Sequence, residues 1–141
     1  MTIQENHKKI IDEFDNLLDW DEKYKHIIQL GRQMSLFPEE FKIDKNKIEG
    51  CQSQLWLHAT INDGKIIFFA DSDALIVRGL AAILIKAYSG FAPDEILSIK
   101  PDFIDAIGID NQLSPTRKNG LMSMLKQIYN YAKVFKLFNK Q

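Results

Sequence analysis

Ile3, His7, Ile10, Ile11, Phe14, Leu17 and Leu18 recur at helical spacing and predict a first amphipathic helix. Asp19 or Asp21 can cap a second, in which Tyr24, Ile27, Ile28 and Met34 share a face. The aromatics of Leu36-Phe37-Pro38-Glu39-Glu40-Phe41 then interrupt the pattern and are expected to pin an irregular segment onto the core. From Gln54 to Asn62 the period changes to two. Leu55, Leu57, Ala59 and Ile61 fall on one face, and Gln54, Trp56, His58 and Thr60 on the other, as in a half-buried strand. Asn62-Asp63-Gly64-Lys65 suits a type I′ hairpin, and Lys65 to Ala70 returns as the partner strand. Lys47-Ile48-Glu49 is a candidate third, short strand.

Asp71-Ser72-Asp73 offers caps for a helix from Ala74 to about Tyr88 that is apolar on nearly every side and therefore expected to be buried. Pro93-Asp94-Glu95 and Pro101-Asp102 open two short helices, the second stopping near Gly108. Ser114-Pro115 opens the last helix, with Leu121, Met124, Leu125, Ile128, Ala132 and Phe135 on its inner stripe. These elements make an α+β fold, a small antiparallel sheet of about three strands packed by helices. Neither a repeat nor a linker divides the 141 residues, so residues 1–141 read as a single domain.

A formal net charge of −1 provides no field to recruit nucleic acid or anionic lipid. The longest unbroken non-polar run, Gly79 to Ile85, falls far short of the roughly 20 residues that span a bilayer. Charges crowd the N-terminus where a signal peptide would be apolar. A single cysteine with no export signal fits a reducing cytoplasm. A homodimer is compatible with the sequence and not required by it.

That cysteine, Cys51, sits in Gly50-Cys51-Gln52-Ser53-Gln54, where a polar turn enters the first strand. One thiol forms no internal disulfide and no cysteine-cluster metal site, and His7, His26 and His58 are too scattered to suggest a metal site. A lone thiol can instead attack, hold a covalent adduct and hand it on. With a free pKa near 8.5 it is only about a tenth ionised near pH 7.5, so local activation helps. Gly50 permits a tight turn whose amides can point at the sulfur; an inert buried cysteine is the competing reading. Gln52, Ser53 and Gln54 place neutral hydrogen-bonding groups beside it, although ordinary turn polarity explains them equally well. Asp71 and Asp73 read first as caps and second as a docking element. Arg117 stands in a first helical turn, where the helix dipole disfavours a cation, which points to some other partner. An extended strand would hold His58 about 20 Å from Cys51, too far for a cysteine–histidine pair without a chain reversal.

These blocks together resemble the SufE family of sulfur-acceptor proteins, including its CsdE relatives. The likeness runs through Asp19-Trp20-Asp21-Glu22-Lys23-Tyr24, Leu30-Gly31, Gly50 to Trp56, Asp71 to Ala74, Val77-Arg78-Gly79-Leu80, Tyr88-Ser89-Gly90, Leu113 to Arg117 and Asn119-Gly120-Leu121. The resemblance implies a fold shared with the IscU-like cluster scaffolds, with Cys51 at a loop tip as sulfur acceptor. It implies a SufS- or CsdA-like cysteine desulfurase as donor, a SufBCD-like scaffold complex as recipient, and pyridoxal phosphate only in the donor. It implies a sulfurtransferase-type accessory without stand-alone turnover. Gly50, Gln52, Ser53, Gln54, Asp71, Asp73 and Arg117 carry over as surroundings of the thiol or as partner-facing residues. Gln112 departs from the pattern, standing where a histidine is expected before Leu113-Ser114-Pro115. A cluster scaffold and a non-catalytic interaction module of the same assembly system are the alternatives.

Overall fold

The computed structural model describes residues 1–49 and 53–138. Helix α1 covers Ile3–Asp15 and opens with a capping box: Thr2 Oγ1 accepts from Glu5 N while the Glu5 carboxylate accepts from Thr2 N. The helix ends before Leu17, and Leu18 is exposed, so the apolar period outruns the helix. Helix α2 spans Trp20–Gln33; of the two candidate caps Asp19 is the one used, accepting from Glu22 N at 2.9 Å.

Strands β1 (Leu55–Asn62) and β2 (Lys65–Ser72) pair antiparallel, with Asn62 opposite Lys65 and Leu55 opposite Ser72. Asp63 and Gly64 both have positive φ, 53° and 77°, which is the type I′ turn that twists with its strands. The expected third strand contracts to a single bridge between Lys47 and Trp56, with Ile48 N donating to Leu55 O. On the other edge Ile66 exchanges hydrogen bonds with Gly90 and Phe91. Among the described residues the sheet therefore has two full strands. Leu55, Leu57, Ala59, Ile66, Phe68 and Ala70 bury one face. The other carries Trp56, His58, Ile67 and Phe69 and is partly covered by the irregular segment, whose Phe41 stacks on His58 at 3.8 Å.

Helices α3 (Leu75–Tyr88), α4 (Pro93–Ser98), α5 (Asp102–Ala106) and α6 (Pro115–Phe138) follow. As its composition requires, α3 is the buried centre, with α1, α2 and α6 around it. Tyr88 is fully buried, and its hydroxyl meets that of Tyr129, which donates in turn to Ile99 O at 2.7 Å. Burial raises the pKa of both tyrosines and keeps the chain of hydroxyls neutral. Among the described residues no helix is long and apolar enough to cross a membrane.

Helices α2 and α3 cross at very short range. A Cβ on Gly31 would lie 2.8 Å from Gly79 N, and one on Gly79 only 2.2 Å from Ile27 O. These neighbours are backbone, so the helices themselves would have to separate. Gly79→Ala gains about 1 kcal/mol of helix propensity against an overpacking cost of about 1–3 kcal/mol, at the upper end where backbone must move. A net loss of about 2 kcal/mol is expected in urea denaturation. A neutral or stabilised variant would contradict the tight crossing.

His7 fastens α1 to the C-terminal end of α3. It is 5% exposed, its Nε2 donates to Ala87 O at 3.0 Å, and its ring packs on Tyr88 and Phe103. Burial lowers its pKa below 6.5, and the hydrogen bond to Ala87 only partly opposes this. The unfolded chain therefore binds the extra proton more readily. The contribution is complete above pH 6.5 and is lost as pH falls through that unfolded value toward the lower folded one. Denaturation midpoints should drop between pH 7 and pH 5, by less than about 1.4 kcal/mol per unit for one proton. His7→Gln should flatten that slope, and an unchanged slope would rule His7 out as its source.

Candidate functional site

Cys51, Gly50 and Gln52 lie outside the described residues, so the site is built from what flanks them. Gln54 is held by its backbone. Asp73 Oδ1 accepts from Gln54 N at 3.0 Å, and Gln54 O accepts from Ser72 Oγ at 2.7 Å and Asp73 N at 3.3 Å. These bonds fix the chain immediately after Ser53 against the end of β2. The two aspartates and the serine thus do not cap α3, whose N-cap is Ala74 with no side-chain bond. Strand β2 runs through Ser72; Ser72 Oγ and the Asp73 carboxylate meet the Gln54 backbone, and Ser72 Oγ also accepts from Ala74 N at 3.2 Å, just ahead of the helix.

Asp71 has a different environment. Its side chain is only 15% exposed and forms ion pairs with Arg78 on α3 and with Lys42 at 3.3 Å. Arg78 Nε also donates to Gly31 O at 2.8 Å, so one guanidinium ties β2, α3 and the end of α2 together. The Lys42 ammonium lies 5.3 Å above the Trp56 ring and reaches Glu39 at 3.1 Å. Hydrogen bonds first to Glu39 and then to Asp71 hold its pKa above the usual lysine value. Trp56 therefore packs under a cation, as expected of a structural residue.

Ser53 and Arg117 come together on one cavity of about 480 Å³, walled also by Ala74, Val77, Ser114 and Thr116. The start of α6 supplies Arg117; Ser114 Oγ caps that helix by accepting from Arg117 N at 3.3 Å. The guanidinium is exposed and has no carboxylate partner among the described residues, in contrast to Arg78. The cavity thus brings the hydroxyls of Ser114 and Thr116 and a cation without a carboxylate partner among the described residues to Ser53, which follows the thiol by two positions in sequence. Asp71 does not line it. Gln112 is exposed in a short turn before α6.

His58 stays in the sheet under Phe41, where burial first and the charge of Lys45 second lower its pKa. Among the described residues no group of three or more His, Cys, Asp or Glu could hold a metal ion. Arg78, Lys42 and Thr116 were not singled out individually from the sequence, and Ser114 was named only as the opening of the last helix. Arg78 carried a signal: a charge inside an otherwise apolar helix must find a buried partner.

These environments separate structure from function. Asp71→Ala leaves a mostly buried guanidinium without its partner and should cost about 1–3 kcal/mol in urea denaturation. Arg117→Ala should stay within about 0.5 kcal/mol of the wild type. Equal losses in the two variants would remove the distinction.

Comparison with known proteins bears on the family and the fold. The family model described as "SufE: Fe-S metabolism associated domain" matches residues 8–132. An uncharacterised SufE-like protein of Synechocystis sp. is 38% identical over 136 residues, covering 96% of this chain and 86% of that protein. The SufE-like protein 1, chloroplastic/mitochondrial, of Arabidopsis thaliana is 38% identical over 120 residues, 84% of this chain; the match spans only 32% of the Arabidopsis protein. The solution structure of a hypothetical protein from Thermus thermophilus shares the fold, with a TM-score of 0.76 at 19% identity over 92% of this chain and 94% of that one.

Proposed function

The chain belongs to the SufE family of Fe-S metabolism associated domains, and on that footing we propose that Cys51 accepts sulfur as a persulfide from a cysteine desulfurase. The thiolate attacks the outer sulfur of the donor's cysteine persulfide. A new S–S bond forms to Cys51, the donor's own S–S bond breaks, and the donor cysteine leaves as a thiolate. No external oxidant or reductant takes part. The same exchange, run toward a SufBCD-like scaffold complex, delivers the sulfur to cluster assembly in a reducing cytoplasm.

The observation that carries this reading is the cavity shared by Ser53 and Arg117, two residues from the only thiol of the chain. Hydroxyl donors and an uncompensated guanidinium favour an anionic sulfur species. Removing sulfur from the donor frees it for another round, so the protein raises the desulfurase's turnover while having none of its own. Pyridoxal phosphate belongs, in this reading, to the donor.

Incubation with a SufS- or CsdA-like desulfurase and cysteine should add about 32 Da per transferred sulfur, located on Cys51. Cys51→Ser should abolish both the adduct and the stimulation of turnover. Arg117→Ala should retain the fold and slow transfer by about tenfold, as loss of one charge-assisted contact would. Full stimulation by the serine variant would overturn the proposal. A stable visible-absorbing cluster on the chain after anaerobic reconstitution would favour a scaffold instead.

A further inference from the structure

Helix α6 carries five cations, Arg117, Lys118, Lys126, Lys133 and Lys136, and no acid. Two are answered within the chain, Lys118 by Asp110 at 3.3 Å and Lys136 by Asp94 at 2.8 Å. Lys126 and Lys133, two turns apart on one side of the helix, are exposed and have no ion-pair partner among the described residues. Lys126 and Asn130 line a groove of about 380 Å³ together with Lys45, Lys47 and Glu49 of the segment before Gly50. Past the groove this side of the helix turns apolar. Val134 and Leu137, four and seven positions beyond Asn130, are 46% and 72% exposed, and Phe138 beside them is 75% exposed. Single exposed apolar side chains are ordinary, but three together at the end of an acid-free helix make a patch. From Lys126 to Leu137 the strip runs about 17 Å at the helical rise. At its polar end stands Glu49, two positions before Cys51 in sequence.

We infer that this strip is the surface on which the sulfur donor docks, through a segment with carboxylates at the groove and apolar side chains at the far end. The inference rests on the sulfur-acceptor reading above and adds to it where the donor is held. Charge sets the sign of the partner: Lys45, Lys47, Lys126 and Lys133 stand against the single carboxylate of Glu49, so an acidic segment is attracted and a basic one repelled. The apolar residues set its polarity along the helix, because Val134, Leu137 and Phe138 lose their exposed area only to apolar groups placed at that end. A bilayer is too flat to enter a groove between a helix and a loop, which leaves a protein segment. Of the two proteins that exchange sulfur with Cys51, the donor must be cleared at every turnover. Fast, charge-steered docking on a small surface serves that partner best.

The test titrates the full chain into a SufS- or CsdA-like desulfurase and reads the concentration for half-maximal stimulation and the turnover at saturation. Lys126→Glu, Lys133→Glu and Leu137→Ser should each raise the half-maximal concentration about three- to tenfold and leave the saturated turnover unchanged. Glu49→Gln should lower that concentration about twofold. Leu18→Ser, which removes an exposed leucine outside the strip, should change neither quantity. Higher ionic strength should weaken the wild type more than it weakens Lys126→Glu. Unchanged half-maximal concentrations in all three strip variants, an equal change in Leu18→Ser, or a fall in saturated turnover alone would overturn the surface. Variants that weaken binding to anionic lipid vesicles and leave stimulation untouched would overturn it in favour of a membrane. Direct binding of Cys51→Ser to the desulfurase needs no sulfur transfer and should lose affinity with the same three substitutions. Docking without an adduct on Cys51 would remove the sulfur reading, whereas an adduct with silent strip variants would remove only the surface.

Discussion

Helices α2 and α3 touch backbone to backbone at Gly31 and Gly79, and Arg78 seals the contact by donating to Gly31 O while pairing with Asp71 on β2. That one guanidinium answers a carbonyl in the last turn of a helix, which Met34 N also reaches at 3.3 Å, and a carboxylate at the end of a strand at once. The consequence reaches further than the crossing. With Asp71 anchored, the next two residues are positioned to hold Gln54 through three hydrogen bonds. The chain therefore leaves the sheet toward Ser53 from a fixed point. Separating the helices by even one methyl group would loosen the frame behind the thiol segment as well as the core.

The acidic triplet shows how neighbouring residues of similar type divide between tasks. Asp71 lies on the face with Trp56 and is absorbed by Arg78 and Lys42. Asp73 has left the strand and meets a backbone amide instead. Neither carboxylate lines the cavity that Arg117 shares with Ser53. Asp71 and Asp73, which precede the Ala74 and Val77 wall of that cavity, are engaged elsewhere, and Asp110, which precedes Arg117, pairs with Lys118. This separation of a paired arginine from an unpaired one is what a site for a transient anion requires: a compensated cation would have little attraction left to give.

Much of the frame was legible because it rests on local rules. Alternation from Leu55 to Ile61 and the Asp63-Gly64 pair dictate a hairpin whatever surrounds them, and the apolar run of α3 admits only a central position. The errors came where tertiary contacts overrode a local preference. Asp71-Ser72-Asp73 look like helix caps, yet β2 continues through two of them because Arg78 and Gln54 compete successfully for their side chains. Leu18 fits the helical period of α1 and is exposed, since the capped start of α2 turns the chain away from the core first. Lys47 makes one bridge and no strand, because the turn at Asp44–Asn46 precedes it and the cysteine segment follows. Of the site, Ser53 and Arg117 were both named from sequence, but their meeting was not derivable: the 64 positions that separate them are closed by the packing of α6 on the sheet and α3.

The residues around that cavity also bear on what kind of chemistry suits it. Hydrolytic or general-base mechanisms need a group that takes up a proton, usually a histidine or a carboxylate of shifted pKa. The described lining of the cavity has neither, only hydroxyls, apolar side chains and a guanidinium. Exchange between a thiolate and a persulfide makes no such demand, since the attacking and leaving groups are both anionic sulfur and no proton need move. What it rewards is stabilisation of negative charge on sulfur before attack and after, which donors and a free cation supply without titrating near neutrality. A cavity poor in bases is thus a weakness for an enzyme that activates water and no handicap for a carrier that exchanges one sulfur anion for another.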